Sequence, residues 1–280
     1  MLAGEAGGAA SLYFTAGDGL FYVCRVSGEA GARLTALAGE LLPNRALFAF
    51  EQPELYEGLD PYVMILSEPP VTQTYEAYNP IGPETVEAGM GALLKGLSIQ
   101  LQASSVYEAA NGRRVRAGKD TLLIGNDGTV TFHAADSGEP RYPVSYAGEQ
   151  PTAGELTETA RTLVEEGLSA WCGEAGLYLM GAEQGQDGET AVYFGYLLDG
   201  AAVTVGAQGY AARVVFHGAQ VSEYTFHYRA YRATGTAGAA LPEVQAAAAM
   251  RVVRPEGGEL QLRYLDAGSG QVSADWVVQS

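Results

Sequence analysis

The alternation across residues 221–231, VSEYTFHYRAY, limits the fold more than any other feature of the chain. With a period of two, Tyr224, Phe226 and Tyr228 fall on one face of an extended segment, and Glu223, Thr225, His227 and Arg229 fall on the other. Such a strand needs a core on one side only, which is the habit of antiparallel sheets. Shorter runs of strand-forming residues precede it at 177–182, 191–198, 201–205 and 211–216. Asp199-Gly200 and Gly218-Ala219 supply two-residue hairpin turns between them, and 260–265 and 272–278 follow around a Gly-Ser-Gly turn. The second half is therefore predicted to be largely an antiparallel meander.

Helices punctuate this pattern. Thr152 and Glu155 form a T-x-x-E capping box ahead of Leu156, Ala160, Leu163, Val164, Leu168 and Trp171, which share one helical face, and Gly173 can end the helix. Leu241-Pro242-Glu243 opens an alanine-rich helix to Met250. In the first half, Leu34, Leu37, Leu41 and Leu42 line a short helix stopped by Pro43, and Pro83 starts another through Val86, Met90, Leu93, Leu94 and Leu97. Hairpins are predicted around Gly17-Asp18-Gly19 and around Asn126-Asp127-Gly128, with strands at 47–50 and 62–66. The polar run 136–151 reads as a boundary between domains. The expectation is an α+β protein with a flexible tether stub at 1–11 and two domains, 12–148 and 149–280. Each domain is an antiparallel sheet packed against one or two helices.

Of the 280 residues, 33 are acidic and 16 basic, a net charge of -17, and Lys95 and Lys119 are the only lysines. That field repels a phosphate backbone, so nucleic acid is not expected as a partner; Arg113, Arg114 and Arg116 read as flanking a turn. Cys24 and Cys172 are too few for a disulfide framework or a zinc site and read as two buried thiols, with an inter-domain disulfide as the alternative. His133, His217 and His227 read as surface residues. No G-x-S-x-G elbow, phosphate loop or metal-ligand spacing occurs, so no catalytic, cofactor-binding or metal-binding residue is expected. Two facing carboxylates, all that a glycosidase requires, leave no sequence signature.

One resemblance reaches further. The capped helix at 152, Val192-Tyr193-Phe194-Gly195-Tyr196 leading to Asp199-Gly200, and the Gly-Tyr-Ala-Ala-Arg-Val-Val strand resemble the YycH/YycI type of two-component-system regulatory protein. So do the helix from Leu241-Pro242-Glu243, Leu260-Gln261-Leu262-Arg263-Tyr264 and the closing Trp276-Val277-Val278, as well as residues 112–132 in the first half. The resemblance implies a non-enzymatic ectodomain on the extracytoplasmic side of the cell membrane, anchored by an N-terminal transmembrane helix. Its implied partner is a membrane sensor kinase or a sister regulatory ectodomain. The Ala/Gly-rich, lysine-poor composition departs from the family. Partner contacts are expected at Glu223, His227 and Arg229 on the polar strand face and at Tyr75, Tyr78 and Asn79 in an exposed irregular segment. The alternative class is a secreted carbohydrate-binding or hydrolytic protein, or a soluble structural protein.

Overall fold

A computed structural model describes residues 2–4, 10–15, 20–26, 28–40, 45–57, 59, 61–66, 71–82, 85–185, 188–254, 256, 259–268 and 270–279. It is α+β and rich in antiparallel sheet. Contacts divide it into two compact units, one of residues 1–51 and 62–67, the other of 52–61 and 68–280.

In the first unit β1 (Leu2–Gly4), β2 (Ala10–Thr15) and β3 (Phe21–Val26) form an antiparallel sheet in that order, and α1 (Gly28–Glu40) follows. The predicted hairpin is thus present as β2 and β3, with Phe14 and Tyr22 stacked across it at 5.4 Å; its turn, 17–19, lies outside the described residues. The start is not a bare tether: Leu2 pairs with Leu12 and Gly4 with Ala10, because a backbone ladder forms regardless of glycine and alanine content. Leu37 is exposed on α1, and Leu41, Leu42 and Pro43 lie outside the described residues. The strands predicted at 47–50 and 62–66 are present but shortened to β4 (Leu47–Phe48) and β5 (Met64–Ile65), which pair with each other through two residues each.

The second unit begins with β6 (Val71–Tyr78), α2 (Val86–Gly96), β7 (Ser104–Ala109), β8 (Gly112–Ala117), β9 (Asp120–Gly125) and β10 (Thr129–His133). After α3 (Ala153–Leu168) come β11 (Gly176–Gln184), β12 (Glu189–Leu198), β13 (Ala201–Val205), β14 (Ala212–His217), β15 (Gln220–His227) and β16 (Ala230–Ala239). α4 (Glu243–Val253), β17 (Glu259–Asp266), β18 (Gly270–Val272) and β19 (Ala274–Gln279) complete it. The large sheet runs β19-β17-β13-β12-β14-β15-β10-β9-β8-β7, with β11 on the other edge of β12; a smaller sheet has the order β16-β6-β18.

β12 forks the large sheet. Its residues 189–194 pair with β14 and its residues 196–198 with β13, while β11 follows most of its opposite edge. Each branch has its own core. In the first, α2 and α3 cover one face of β8–β10, β12, β14 and β15, burying Leu93, Leu94, Val164, Leu168, Phe132 and Phe226 completely or almost so. In the second, Tyr196, Val203, Tyr264, Tyr75 and Tyr231 pack where the smaller sheet meets the other branch. The capping box forms as predicted: the Glu155 amide donates to Thr152 Oγ1 (3.3 Å) and the Thr152 amide to Glu155 (2.8 Å).

The boundary expected at 148/149 falls inside this unit. β10 pairs with β15, so residues on either side of that point share one sheet and one core. The run 136–151 is a connection whose Val144 amide donates to the Ala219 carbonyl (2.9 Å); its polar composition reports exposure of a long loop, not a division. The strand expected over 221–231 also breaks. β15 stops at His227, and from Ala230 the chain pairs with β6 in the smaller sheet, although the alternation continues through the break. Residues 71–78, expected to be irregular, are the central strand of that sheet. Arg113, Arg114 and Arg116 lie along β8, between the hairpin turns at Ala110-Asn111 and Gly118-Lys119, which they flank as expected.

Candidate functional site

The rung joining β10 to β15 at Thr129 and His227 lies beside the tight turn of Asn126-Asp127-Gly128. Gly128 adopts φ +88, and a Cβ there would lie 2.7 Å from Asn79 Oδ1 and 2.9 Å from the Tyr228 carbonyl, so only glycine fits this turn. Asp127 caps it, accepting from the Thr129 amide (2.9 Å) and from Thr129 Oγ1 (3.1 Å). The same hydroxyl lies 3.2 Å from His227 Nδ1. A hydroxyl has one proton, and the carboxylate is its stronger acceptor, so the imidazole donates through Nδ1 and keeps a lone pair on Nε2. Nε2 is buried and has no hydrogen-bond partner among the described residues. Burial pushes the His227 pKa below the ordinary histidine value, against the opposing pull of Asp127, so the ring is neutral near pH 7.

Beside this relay lies a buried charge pair. Arg229 donates through Nε (2.8 Å) and Nη2 (2.9 Å) to the two oxygens of Asp266, which also accept from the Tyr231 hydroxyl (2.9 Å) and the Gly268 amide (2.9 Å). Burial alone would raise the Asp266 carboxyl; the Arg229 hydrogen bond, the Gly268 amide and the Arg229 charge outweigh it and hold it below the usual carboxylate range. The Tyr196 hydroxyl, donating to the His227 carbonyl (2.7 Å) and accepting from the Arg229 amide (3.3 Å), ties the relay to the pair. Asp127, His227, Arg229, Asp266 and Tyr210 line a pocket of ≈ 560 Å³ between the two branches of the sheet.

The pocket opens at one corner of a broad sheet face. Opposite the helices, the register sets Tyr107, Arg114, Leu123, Thr131, Thr225 and Arg213 side by side across β7, β8, β9, β10, β15 and β14. The next rung carries Arg116, Thr121, His133 and Glu223. Tyr107 (55%), Leu123 (38%), Arg114 and Arg116 are exposed on it.

The residues expected to meet a partner divide accordingly. Glu223 is on the open face, half-buried, bonded to Arg213 (3.0 Å) and 3.4 Å from His133. His227 is on the same face but sunk into the relay, so it is not the surface residue expected; His133 and His217 are exposed. Arg229 is buried in its ion pair and Tyr75 in the second core, edge-on to Tyr264 at 5.5 Å, so neither presents a contact surface. Tyr78 is exposed, and Asn79 braces the turn, donating to the Asn126 carbonyl (3.2 Å). Asn79 and His227, distant in sequence, thus meet at one turn. Asp266, Arg213 and Tyr210 were not legible as site residues: Asp266 closes a strand in which polar and apolar residues alternate, with no local cue. The Asp-Gly-Thr order could have revealed the Asp127–Thr129 cap.

Cys172 is buried, with its thiol 3.0 Å from the Ala175 carbonyl and its pKa raised by burial, whereas Cys24 is exposed on β3 rather than buried; both are free. Among the described residues no group of three or more His, Cys, Asp or Glu could hold a metal ion, and no helix is long and apolar enough to cross a membrane.

Comparisons with protein-family models and with curated proteins give no match. Among solved structures the chain is similar to an uncharacterized protein from Eubacterium rectale ATCC 33656, with a TM-score of 0.45 and 12% identity, covering 75% of this chain and 76% of that one.

Proposed function

We propose that the chain is a non-enzymatic regulatory module that acts by protein–protein contact, on the extracytoplasmic side of a membrane, upon a sensor kinase or a sister ectodomain. One observation carries the contact reading: the face of β7–β10 opposite the helices is open and bears exposed tyrosine, leucine and arginine, residue types that suit an interface. The groups with catalytic chemistry support it from the other side. Arg229 and Asp266 are engaged with one another, and Asp266 accepts four hydrogen bonds, so neither is poised to act on a substrate. The membrane placement and the kinase partner rest on the sequence resemblance alone.

In-cell crosslinking of the full-length natural protein, followed by membrane fractionation and mass spectrometry, tests the reading. Recovery with the membrane, crosslinked to a sensor kinase or a second ectodomain, is the expected result. Recovery as a free soluble protein without such a partner overturns it. A second reading, carbohydrate binding, is favoured by the pocket, where Tyr210, 5.3 Å from the His227 ring, offers an aromatic face and the exposed Asp127 a carboxylate. Titration with a panel of oligosaccharides, monitored at the His227 ring resonances, decides it.

A further inference from the structure

The open face has the opposite charge character from the rest of the chain. Its two rungs hold three arginines, Arg114, Arg116 and Arg213, and one acid, Glu223. Glu223 is already engaged by Arg213 and lies beside His133. Arg114 and Arg116 project from the same side of β8, two residues apart, and neither has an ion pair among the described residues. Like charges this close on one sheet face repel, and the chain has 33 acidic side chains from which a neutralising neighbour could have been drawn. The contrast with Arg113, on the other face of the same strand, is direct: it lies 3.2 Å from Glu108 and 3.9 Å from Glu87.

We infer that this face receives an acidic segment of a partner protein, with carboxylates seated on the Arg114 and Arg116 guanidiniums and apolar side chains against Tyr107 and Leu123. The inference rests on the contact reading above and supplies the chemistry of the partner. A guanidinium fork matches a carboxylate in two parallel hydrogen bonds, and Tyr and Arg beside each other are the residue types that carry most binding energy in protein interfaces. A phosphate backbone is disfavoured, because a net charge of -17 repels a polyanion at long range and two or three arginines neutralise few phosphates. A protein segment with a few acids among apolar residues suffers less of that repulsion.

The test uses the full chain and a short poly-L-glutamate peptide, followed by amide chemical shifts. The expected result is a set of shifts confined to β7–β10, β14 and β15, fading as salt is raised. In Arg114→Glu/Arg116→Glu, whose substitutions are exposed and whose thermal transition verifies folding, affinity falls by about tenfold or more. Arg114→Lys/Arg116→Lys retains charge without the fork and binds with intermediate strength. The proposal is overturned if no shifts appear, if they persist in the Glu variant, or if a short DNA duplex or anionic phospholipid vesicles bind the same face more tightly than the peptide. Its failure is separable from that of the contact reading: a partner crosslinked in cells through another surface leaves the contact reading standing and removes this face.

Discussion

Arg229 and Asp266 are almost sealed from solvent, with side-chain exposures of 8% and 1%, so each depends on the other for its charge. Asp266→Asn leaves a buried guanidinium without its counter-ion, and unfolding in urea is expected to show a loss on the order of 3–5 kcal/mol. The paired change Arg229→Met/Asp266→Leu removes both charges and recovers much of that loss. The carboxyl binds its proton more weakly in the folded chain than in the unfolded one, where the value is about 3.9. Its contribution is therefore complete above about pH 4 and is lost as pH falls through the lower folded value. Below about pH 4 the wild-type stability curve falls more steeply than that of Asp266→Asn. His227 follows the same sign for a different reason, since burial disfavours its cation: an NMR titration places its midpoint below about 6.5, the unperturbed histidine value. Alternation identified the polar face bearing His227 and Arg229 but not their depth. A two-residue period gives the side on which a residue lies, and what covers that side is decided by segments far away in the chain.

Elements were more legible than their surroundings. The capping box of α3 and the Asp199-Gly200 turn follow from local chemistry: Thr152 and Glu155 satisfy each other's backbone amides, and Asp199 and Gly200 both adopt positive φ, 48° and 80°. The fate of 221–231 was not local. The Tyr228 amide leaves the ladder to donate to the Gly128 carbonyl (2.9 Å), and the chain passes into a second sheet while its pattern is unchanged. α3 provides a test of which influence dominates within an element. Gly167 is a poor helix residue, and alanine would improve helix propensity by ~1 kcal/mol. Yet a Cβ there would lie 2.7 Å from Phe226 Cε2 and 3.1 Å from Leu97, while the Gly167 carbonyl accepts from the Tyr228 hydroxyl (2.9 Å). Close approach of helix to sheet outweighs propensity, so Gly167→Ala is expected to lower the thermal midpoint, with a net cost of about 1–3 kcal/mol from overpacking.

At the scale of the whole molecule, the two-part division expected from composition and the division found in the contacts imply different behaviour on cutting the chain. A cut at 148/149 separates β10 from β15 and α2 from α3, and divides the first core between two fragments. Residues 149–280 would then expose Tyr224, which stacks on Phe132, and Phe226, which lies opposite Val130, to water, along with the sheet edge that β10 occupies. A cut at 51/52 leaves both cores of the larger unit whole, and it keeps Tyr56 and Leu59, which are buried, with the fragment that contains 68–280. Fragment 52–280 is therefore expected to unfold cooperatively with native-like near-ultraviolet dichroism, and fragment 149–280 to lack that signal and to bind a hydrophobic dye. If 149–280 instead folds cooperatively alone, the β10–β15 ladder contributes little, and the polar run 136–151 is a true domain linker. The sequence could not separate these cases, because a long polar connection looks the same whether it joins two cores or crosses the surface of one. Only the pairing of β10 with a strand about a hundred residues downstream distinguishes them.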